Sequence, residues 1–221
     1  MIAMRQEIPK TGNNELARQF LRELASLFDY PGEQSAEAIK RCMAAGEANG
    51  LDKGLLLPLQ EYLSTVSVDK AQELFTSTFD MNAVCSLDIG YYLFGEDYQR
   101  GEFLARLRES QESLGLAQET ELPDHLPVLL RWLAEVYGAE EHVDMARECL
   151  LPVLGKMEEN FSGGANPYRF AIEAVRWSLM NGLVNLGLST DPTVLRDTRE
   201  AVEAYSGRPD MSTQKLIALE V

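Results

Sequence analysis

The sequence predicts an all-α fold, a single-domain helical bundle of eight or more helices. Apolar residues recur at spacings of three and four along most of the chain, which is the pattern of one helix face. Pairs of alternating segments, as expected of neighbouring strands, are not evident. With 221 residues and 45% hydrophobic side chains, the chain is long enough to bury one substantial core.

The first half of the chain predicts four helices. The first is expected to begin at Asn13 or Asn14, which are good N-caps. It should end before Pro31, because the residue before a proline disfavours helix. The next are expected over residues 35–48, over residues 53–65 with a kink at Pro58, and from Asp69 to the neighbourhood of Phe79.

The stretch from Asp80 to Gly101 is harder to assign. Leu87, Ile89 and Tyr91 alternate as in a strand, but a lone strand has no partner to pair with. We therefore expect an irregular or short helical segment here, followed by a helix over residues 101–114.

Three further helices are expected in the second half. A strongly amphipathic helix opens at Pro123 and ends at Gly138, and its apolar residues have the spacing of a buried face. The next helix carries a kink at Pro152. The last runs from Tyr168 to about Val184, after a break at residues 162–167.

These elements give a simple domain organisation. Residues 1–13 are interpreted as an N-terminal extension and residues 14–190 as the all-helical domain. Residues 191–221 are interpreted as a weakly structured C-terminal segment, because the helical pattern weakens there.

The charge balance is strongly acidic and limits the partners. Lys and Arg number 20 against 35 Asp and Glu, for a formal net charge of −15. Nucleic acid and an anionic membrane surface both need clustered basic residues, so neither is expected as a partner. Between Glu96 and Glu173 there are 16 acidic and 7 basic residues. This surplus suits a basic peptide, although the simpler interpretation is that acidity only keeps the protein soluble.

Three widely spaced cysteines, Cys42, Cys85 and Cys149, do not form a disulfide framework and indicate a reducing compartment. The sequence shows neither a spanning segment nor a secretory signal, so we expect a cytoplasmic protein. His125 and His142 are far apart and no cysteine has a close partner. We therefore expect no metal site, no cofactor and no catalytic residue.

His125 stands in the segment ELPDHLP at residues 121–127 and has two open interpretations. It is either a neutral histidine bonded to a loop carbonyl or an exposed recognition group at a helix entrance. A third interpretation is an enzyme that uses Asp124 and His125 as an acid–base pair. It is disfavoured because adjacent residues rarely converge on one substrate atom.

Three stretches of the chain resemble a known family. They are ELFTSTFD at residues 73–80, LFGEDYQRG at residues 93–101 and ELPDHLPVLLRWLA at residues 121–134. In order, spacing and helical context they resemble the redox enzyme maturation proteins (TorD/DmsD/NarJ-like), most closely the nitrate reductase delta-subunit chaperones of NarJ type. The resemblance implies an all-α chaperone that is not an enzyme. It would bind the N-terminal leader of an apo molybdoenzyme catalytic subunit and hold it competent for molybdenum cofactor insertion.

The resemblance also implies the residues of a peptide-binding site. Asp124 and His125 would be recognition residues, with Leu122 and Pro123 shaping the turn. The opposite wall would consist of Phe79, Asp80, Phe94, Gly95, Arg100 and Gly101.

Several alternatives stay open at this point. Arg100 could instead pair with Glu96 or Asp97 and fix the loop. The cluster of Phe79 and residues 91–94 is either a groove for an amphipathic helix or ordinary core. The alternative function is a general helical scaffold without leader specificity. A monomer is expected, with a dimer as the alternative.

Overall fold

The computed structural model describes residues 12–81, 85–116, 120–161 and 165–190. Its helices are α1 (Gly12–Ser26), α2 (Ser35–Ala48), a 3-10 turn (Lys53–Leu56), α3 (Leu57–Thr65), α4 (Val68–Phe79), α5 (Ile89–Phe94), α6 (Tyr98–Ser113), α7 (Leu126–Glu135), α8 (Glu140–Asp144), a π-helical segment (Met145–Leu150), α9 (Leu151–Asn160) and α10 (Tyr168–Asn185). Across these ranges no strand is present, and the all-α prediction is confirmed.

The element bounds differ from the predicted ones in a few places. Helix α1 begins at Gly12 and therefore includes the last two residues of the predicted extension. The remaining eleven residues of that extension and the predicted C-terminal segment, residues 191–221, lie outside the described residues. The segment after Asp80 contains the short helix α5, as expected. Among the described helices, none combines the length and the hydrophobicity needed to cross a bilayer.

Prolines stand in the first turns of three helices. Pro58, Pro127 and Pro152 each occupy one of the first two positions of α3, α7 and α9, where the missing N–H costs no intrahelical bond. The expected kinks thus appear as junctions: α3 continues a 3-10 turn, and α9 continues a π-helical segment.

Helix α7 begins later than the sequence predicted. The prediction placed its start at Pro123, but His125 is the N-cap and Leu126 the first helical residue. The reason is a tight turn, in which the amide of His125 donates to the carbonyl of Leu122 at 3.1 Å. Pro123 and Asp124 therefore belong to this turn and not to the helix.

Helix α7 is the central element of the core. Its side chains are buried on nearly every face, as expected of a helix surrounded by protein. It packs mainly against α1. Arg131 and Glu135 are the half-buried exceptions, and the Nη2 atom of Arg131 lies 2.6 Å from an oxygen of Asp29.

The C-terminal end of α7 is held by two arginines of α1. Arg18 donates to the carbonyl oxygens of Glu135 and Tyr137 at 3.1 and 3.4 Å. Arg22 pairs with the Glu135 carboxylate at 2.8 Å. Cationic groups at the last carbonyls of a helix satisfy acceptors that have no intrahelical donor. These contacts fix the direction in which α7 leaves the core.

His142 is buried just beyond this end of α7. Its ring lies 4.7 Å from that of Tyr137, and its Nδ1 atom accepts from the amide of Gly138 at 3.4 Å. Burial, together with the nearby charge of Arg18, lowers the pKa of His142 to about 4. The imidazole is therefore neutral at pH 7.

This burial predicts a loss of stability in mild acid. The unfolded chain protonates His142 below its ordinary pKa of 6.5, whereas the folded chain does so only near 4. Unfolding therefore takes up a proton between these values, and the free energy of unfolding falls as the pH drops from 6.5 toward 4. The His142 contribution should reach about 3 kcal/mol at the acidic end.

Urea denaturation across this pH range measures the effect in the wild type and in His142→Gln. Both proteins share every carboxylate, so the difference between their pH profiles isolates the histidine. Two parallel profiles would contradict the prediction.

Candidate functional site

The candidate site lies where the segment before α5 meets the turn before α7. Asp88 and His125 form an isolated antiparallel bridge. Beside it, the amide of Leu126 donates to the Leu87 carbonyl at 2.9 Å and that of Ile89 to the Asp124 carbonyl at 3.1 Å. The strand-like alternation of residues 87–91 therefore corresponds to one bridge, which is too short to be a strand.

Asp124 is the buried centre of the site. Its residue is wholly inaccessible to solvent. Its Oδ2 atom accepts from the amide of Gly90 at 3.0 Å and from Nη2 and Nε of Arg100 at 3.1 and 3.3 Å. The other oxygen, Oδ1, has no hydrogen-bond partner among the described residues. Burial raises the pKa of Asp124, and the charge of Arg100 acts against that rise.

Arg100 reaches this centre from the first turn of α6. Its Nη2 atom also lies 3.4 Å from Oδ2 of Asp88. The alternative pairing of Arg100 with Glu96 or Asp97 is wrong. Asp97 instead caps α6, because its side chain accepts from the amide of Gln99 at 2.9 Å.

Asp124, Arg100 and Asp88 form a network of polar contacts. His125 faces Asp88 on the more exposed side of this network. Its Nδ1 atom lies 3.0 Å from Oδ1 of Asp88, and its Nε2 atom lies 3.9 Å from Oε2 of Glu121. The interpretation as a histidine bonded to a loop carbonyl is therefore wrong, since the partner is a carboxylate. The hydrogen bond with His125 and the charge of Arg100 lower the pKa of Asp88.

Asp88 was missed by the sequence analysis. Its carboxylate joins Arg100 to His125 and is half-exposed. The available signal was its position as the residue before the short helix α5, two residues ahead of Gly90. That signal is weak, because an aspartate at a helix start ordinarily serves as a cap.

Gly90 is required by the closeness of Asp124. A Cβ atom at this position would lie 2.5 Å from Oδ2 of Asp124 and 3.3 Å from Cδ1 of Phe103. The first distance is far shorter than any van der Waals contact. Only glycine lets the backbone amide approach the buried carboxylate in this way.

The other predicted site residues divide into two groups, and the first lies at the same junction as the network. In this group, Pro123 is buried, and its carbonyl accepts from Nε2 of Gln111 at 2.9 Å. Phe94 packs on Phe103 at a ring distance of 5.2 Å. The rest of the first group lies at the same junction: Leu122 before α7, Gly95 with φ +62° at the end of α5, Arg100 in α6, and Gly101 exposed on α6.

Phe79 and Asp80 form the second group, at the end of α4. Phe79 is buried among Phe28, Phe75 and Tyr168, with ring distances of 5.9, 5.0 and 5.0 Å. It is therefore core, whereas Asp80 is exposed. None of the aromatic neighbours of Phe79 belongs to the network around Asp124.

Exposed apolar and acidic side chains stand close in the sequence to the residues of the network. Tyr91, Tyr98 and Leu122 are 51%, 81% and 41% exposed. Glu96, Asp97 and Glu121 are exposed beside them in the sequence. Some of these residues are joined to the network by contacts, and we call them the Asp88 surface. They are Asp88, Tyr91, Glu121, Leu122 and His125.

The solved structures identify the class of fold. The crystal structure of a candidate redox enzyme maturation protein from Archaeoglobus fulgidus matches with a TM-score of 0.51 at 23% identity. The match covers 80% of this chain and 99% of that one. The chain thus shares an all-helical fold with that protein.

The sequence comparisons then identify the family. A family model described as nitrate reductase delta subunit matches residues 48–159, just over half of the chain. The chain therefore belongs to the nitrate reductase delta subunit family, and the resemblance drawn from its motifs is confirmed.

Two curated relatives show the extent of the likeness. The Escherichia coli (strain K12) protein named nitrate reductase molybdenum cofactor assembly chaperone NarJ is 28% identical over 140 residues, which are 63% of this chain and 56% of that protein. A Bacillus subtilis (strain 168) protein carries the same name qualified as "probable". It is 27% identical over 139 residues, 62% of this chain and 73% of that protein. The match thus spans little more than half the length of the E. coli relative.

The closeness of Gly90 to Asp124 predicts that Gly90→Ala destabilises the protein by about 1–3 kcal/mol, because the added methyl group overpacks a buried polar contact. Gly101→Ala is the matched control. A Cβ at Gly101 meets nothing within 4 Å, and alanine in a helix should stabilise by about 0.5–1 kcal/mol. Urea denaturation of both variants is the measurement. Equal effects of the two substitutions would contradict the described packing.

The burial of Asp124 predicts that Asp124→Ala costs about 3 kcal/mol, because it removes one partner of a buried ion pair and the acceptor of the Gly90 amide. Asp97→Ala removes an exposed cap and should cost about 1 kcal/mol. Thermal and urea unfolding would compare them. A cost for Asp124→Ala no larger than that of the cap would show that the carboxylate is not the centre of the junction.

Proposed function

We propose that this protein is a chaperone of molybdoenzyme assembly. It binds the N-terminal leader of an apo catalytic subunit of nitrate reductase type and holds it competent for insertion of the molybdenum cofactor. The observation that carries this proposal is membership of the nitrate reductase delta subunit family. Relatives named as molybdenum cofactor assembly chaperones support it.

The composition of the site's surroundings supports peptide binding. Tyr91, Tyr98 and Leu122 offer exposed apolar area, which an amphipathic helix can cover with its apolar face. Glu96 and Glu121 add exposed negative charge, which attracts basic side chains and speeds their encounter. A leader that is both amphipathic and basic fits these two properties together.

The geometry of the network favours binding over catalysis. Asp124 bonds to Arg100 and Gly90, whereas His125 bonds to Asp88. The side chains of Asp124 and His125, considered above as an acid–base pair, therefore do not converge on one point. Cys85 is buried and its burial raises the pKa of the thiol to about 12, which suppresses the thiolate that a nucleophile needs. We propose a cytoplasmic monomer that is not an enzyme.

The decisive experiment is a calorimetric titration of the full chain with synthetic leader peptides. The peptides correspond to the N-termini of molybdoenzyme catalytic subunits encoded in the same genome, each with a scrambled control of equal charge. We expect one native peptide to bind with a dissociation constant of about 1 μM, corresponding to about −8 kcal/mol. Binding should weaken in ~1 M salt, where the Debye length falls to about 3 Å.

Each negative result has a definite meaning. Equal binding of native and scrambled peptides would show charge attraction without leader recognition. Binding of none of the peptides, together with capture of assembled enzyme from the host, would favour the general helical scaffold.

A further inference from the structure

Asp88 has spare accepting capacity on a side chain that is partly exposed to solvent. Its side chain is 32% exposed. Oδ1 is engaged by Nδ1 of His125 at 3.0 Å, and Oδ2 has the longer contact of 3.4 Å with Nη2 of Arg100. A carboxylate offers about four lone-pair positions. These two contacts therefore leave room for a further donor.

The charges of the network do not balance. One guanidinium, that of Arg100, faces the two carboxylates of Asp88 and Asp124. Arg100 makes its shorter contacts, 3.1 and 3.3 Å, with Asp124, so its charge is directed inward. The buried Oδ1 of Asp124, which has no partner among the described residues, adds to the negative potential. The uncompensated charge thus lies on the half-exposed Asp88, whose other partner is the imidazole of His125.

The neighbours of Asp88 suit a long basic side chain. Tyr91 and Leu122, on either side of the bridge, expose apolar surface, against which an aliphatic stem can pack. Glu121 lies 3.9 Å from His125 and extends the negative charge along the same surface. Guanidinium and ammonium groups are the donors that such carboxylates bind most strongly.

We propose that Asp88 binds an arginine or lysine side chain of the client leader, and that Asp124 is a positioning residue that keeps Asp88 directed outward. The inference rests on the proposed function and adds the specificity-determining residue of its site. Asp124 acts at a distance: it holds the Gly90 amide and Arg100, and these hold the segment that carries Asp88.

The test is a double-mutant cycle by calorimetry on the full chain. The proteins are the wild type, Asp88→Asn and the matched control Asp69→Asn, which removes one exposed charge from the first turn of α4. The probes are the native leader peptide and a set in which each Arg or Lys is replaced in turn by Gln. Asp88→Asn should weaken binding about tenfold, the loss expected of one charge-assisted hydrogen bond. Asp69→Asn should stay within about twofold of the wild type.

The cycle must also identify one basic residue of the peptide. Replacing that residue should weaken binding to the wild type about tenfold and leave binding to Asp88→Asn within about twofold. Asp88→Glu, which keeps the charge, should retain most of the affinity. Thermal melts of all variants show whether each is folded. If Asp88→Asn does not fold, the peptide scan against the wild type can still be interpreted.

Two different failures are distinguishable. Equal affinity of the native peptide for the wild type and Asp88→Asn, or a scan in which no single cation matters, would overturn the role of Asp88 and leave the proposed function intact. Absence of binding to the wild type would overturn both.

Discussion

The site depends on one buried ion pair, between Asp124 and Arg100. Asp124 is wholly inaccessible and Arg100 reaches it from α6. The same carboxylate accepts from Gly90 at the start of α5, so three segments distant in sequence meet at one oxygen atom. Burying a carboxylate carries a large desolvation cost that Coulombic attraction seldom recovers in full. The arrangement is therefore better explained as a device that fixes relative position than as a source of net stability.

Helix α7 connects this device to the rest of the molecule. Its N-terminal end follows the Asp124 turn, and its C-terminal carbonyls accept from Arg18 of α1. Between the two ends, its side chains fill the core. Close-packed interiors transmit displacement because they contain few voids. A shift at either end of α7 would therefore disturb the packing against α1, so the geometry of the site is coupled to that of the core.

The sequence predicted local features well and long-range ones poorly. Periodicity located the helices, and the last helix was expected from Tyr168 to about Val184 against an observed end at Asn185. The role of Asp124 was not predictable, because its partners Arg100 and Gly90 lie 24 and 34 residues away. The same limitation hid Asp88. The start of α7 was misplaced at Pro123 for a local reason. A proline is a good first helical residue, but the turn stabilised by Leu122 delays the helix to Leu126.

The network consists of a buried layer and a more exposed layer. Asp124 and Gly90 are buried and act on the backbone, whereas Asp88, His125 and Glu121 are exposed to different degrees and have side-chain atoms near solvent. Substitutions in the buried layer alter packing and, with it, the position of the exposed layer that this packing supports. Substitutions in the exposed layer change charge and shape where few core contacts are lost, so their cost in stability is small. Under the proposed function, a substitution in the exposed layer would therefore change the leader preference without rebuilding the fold that presents the surface.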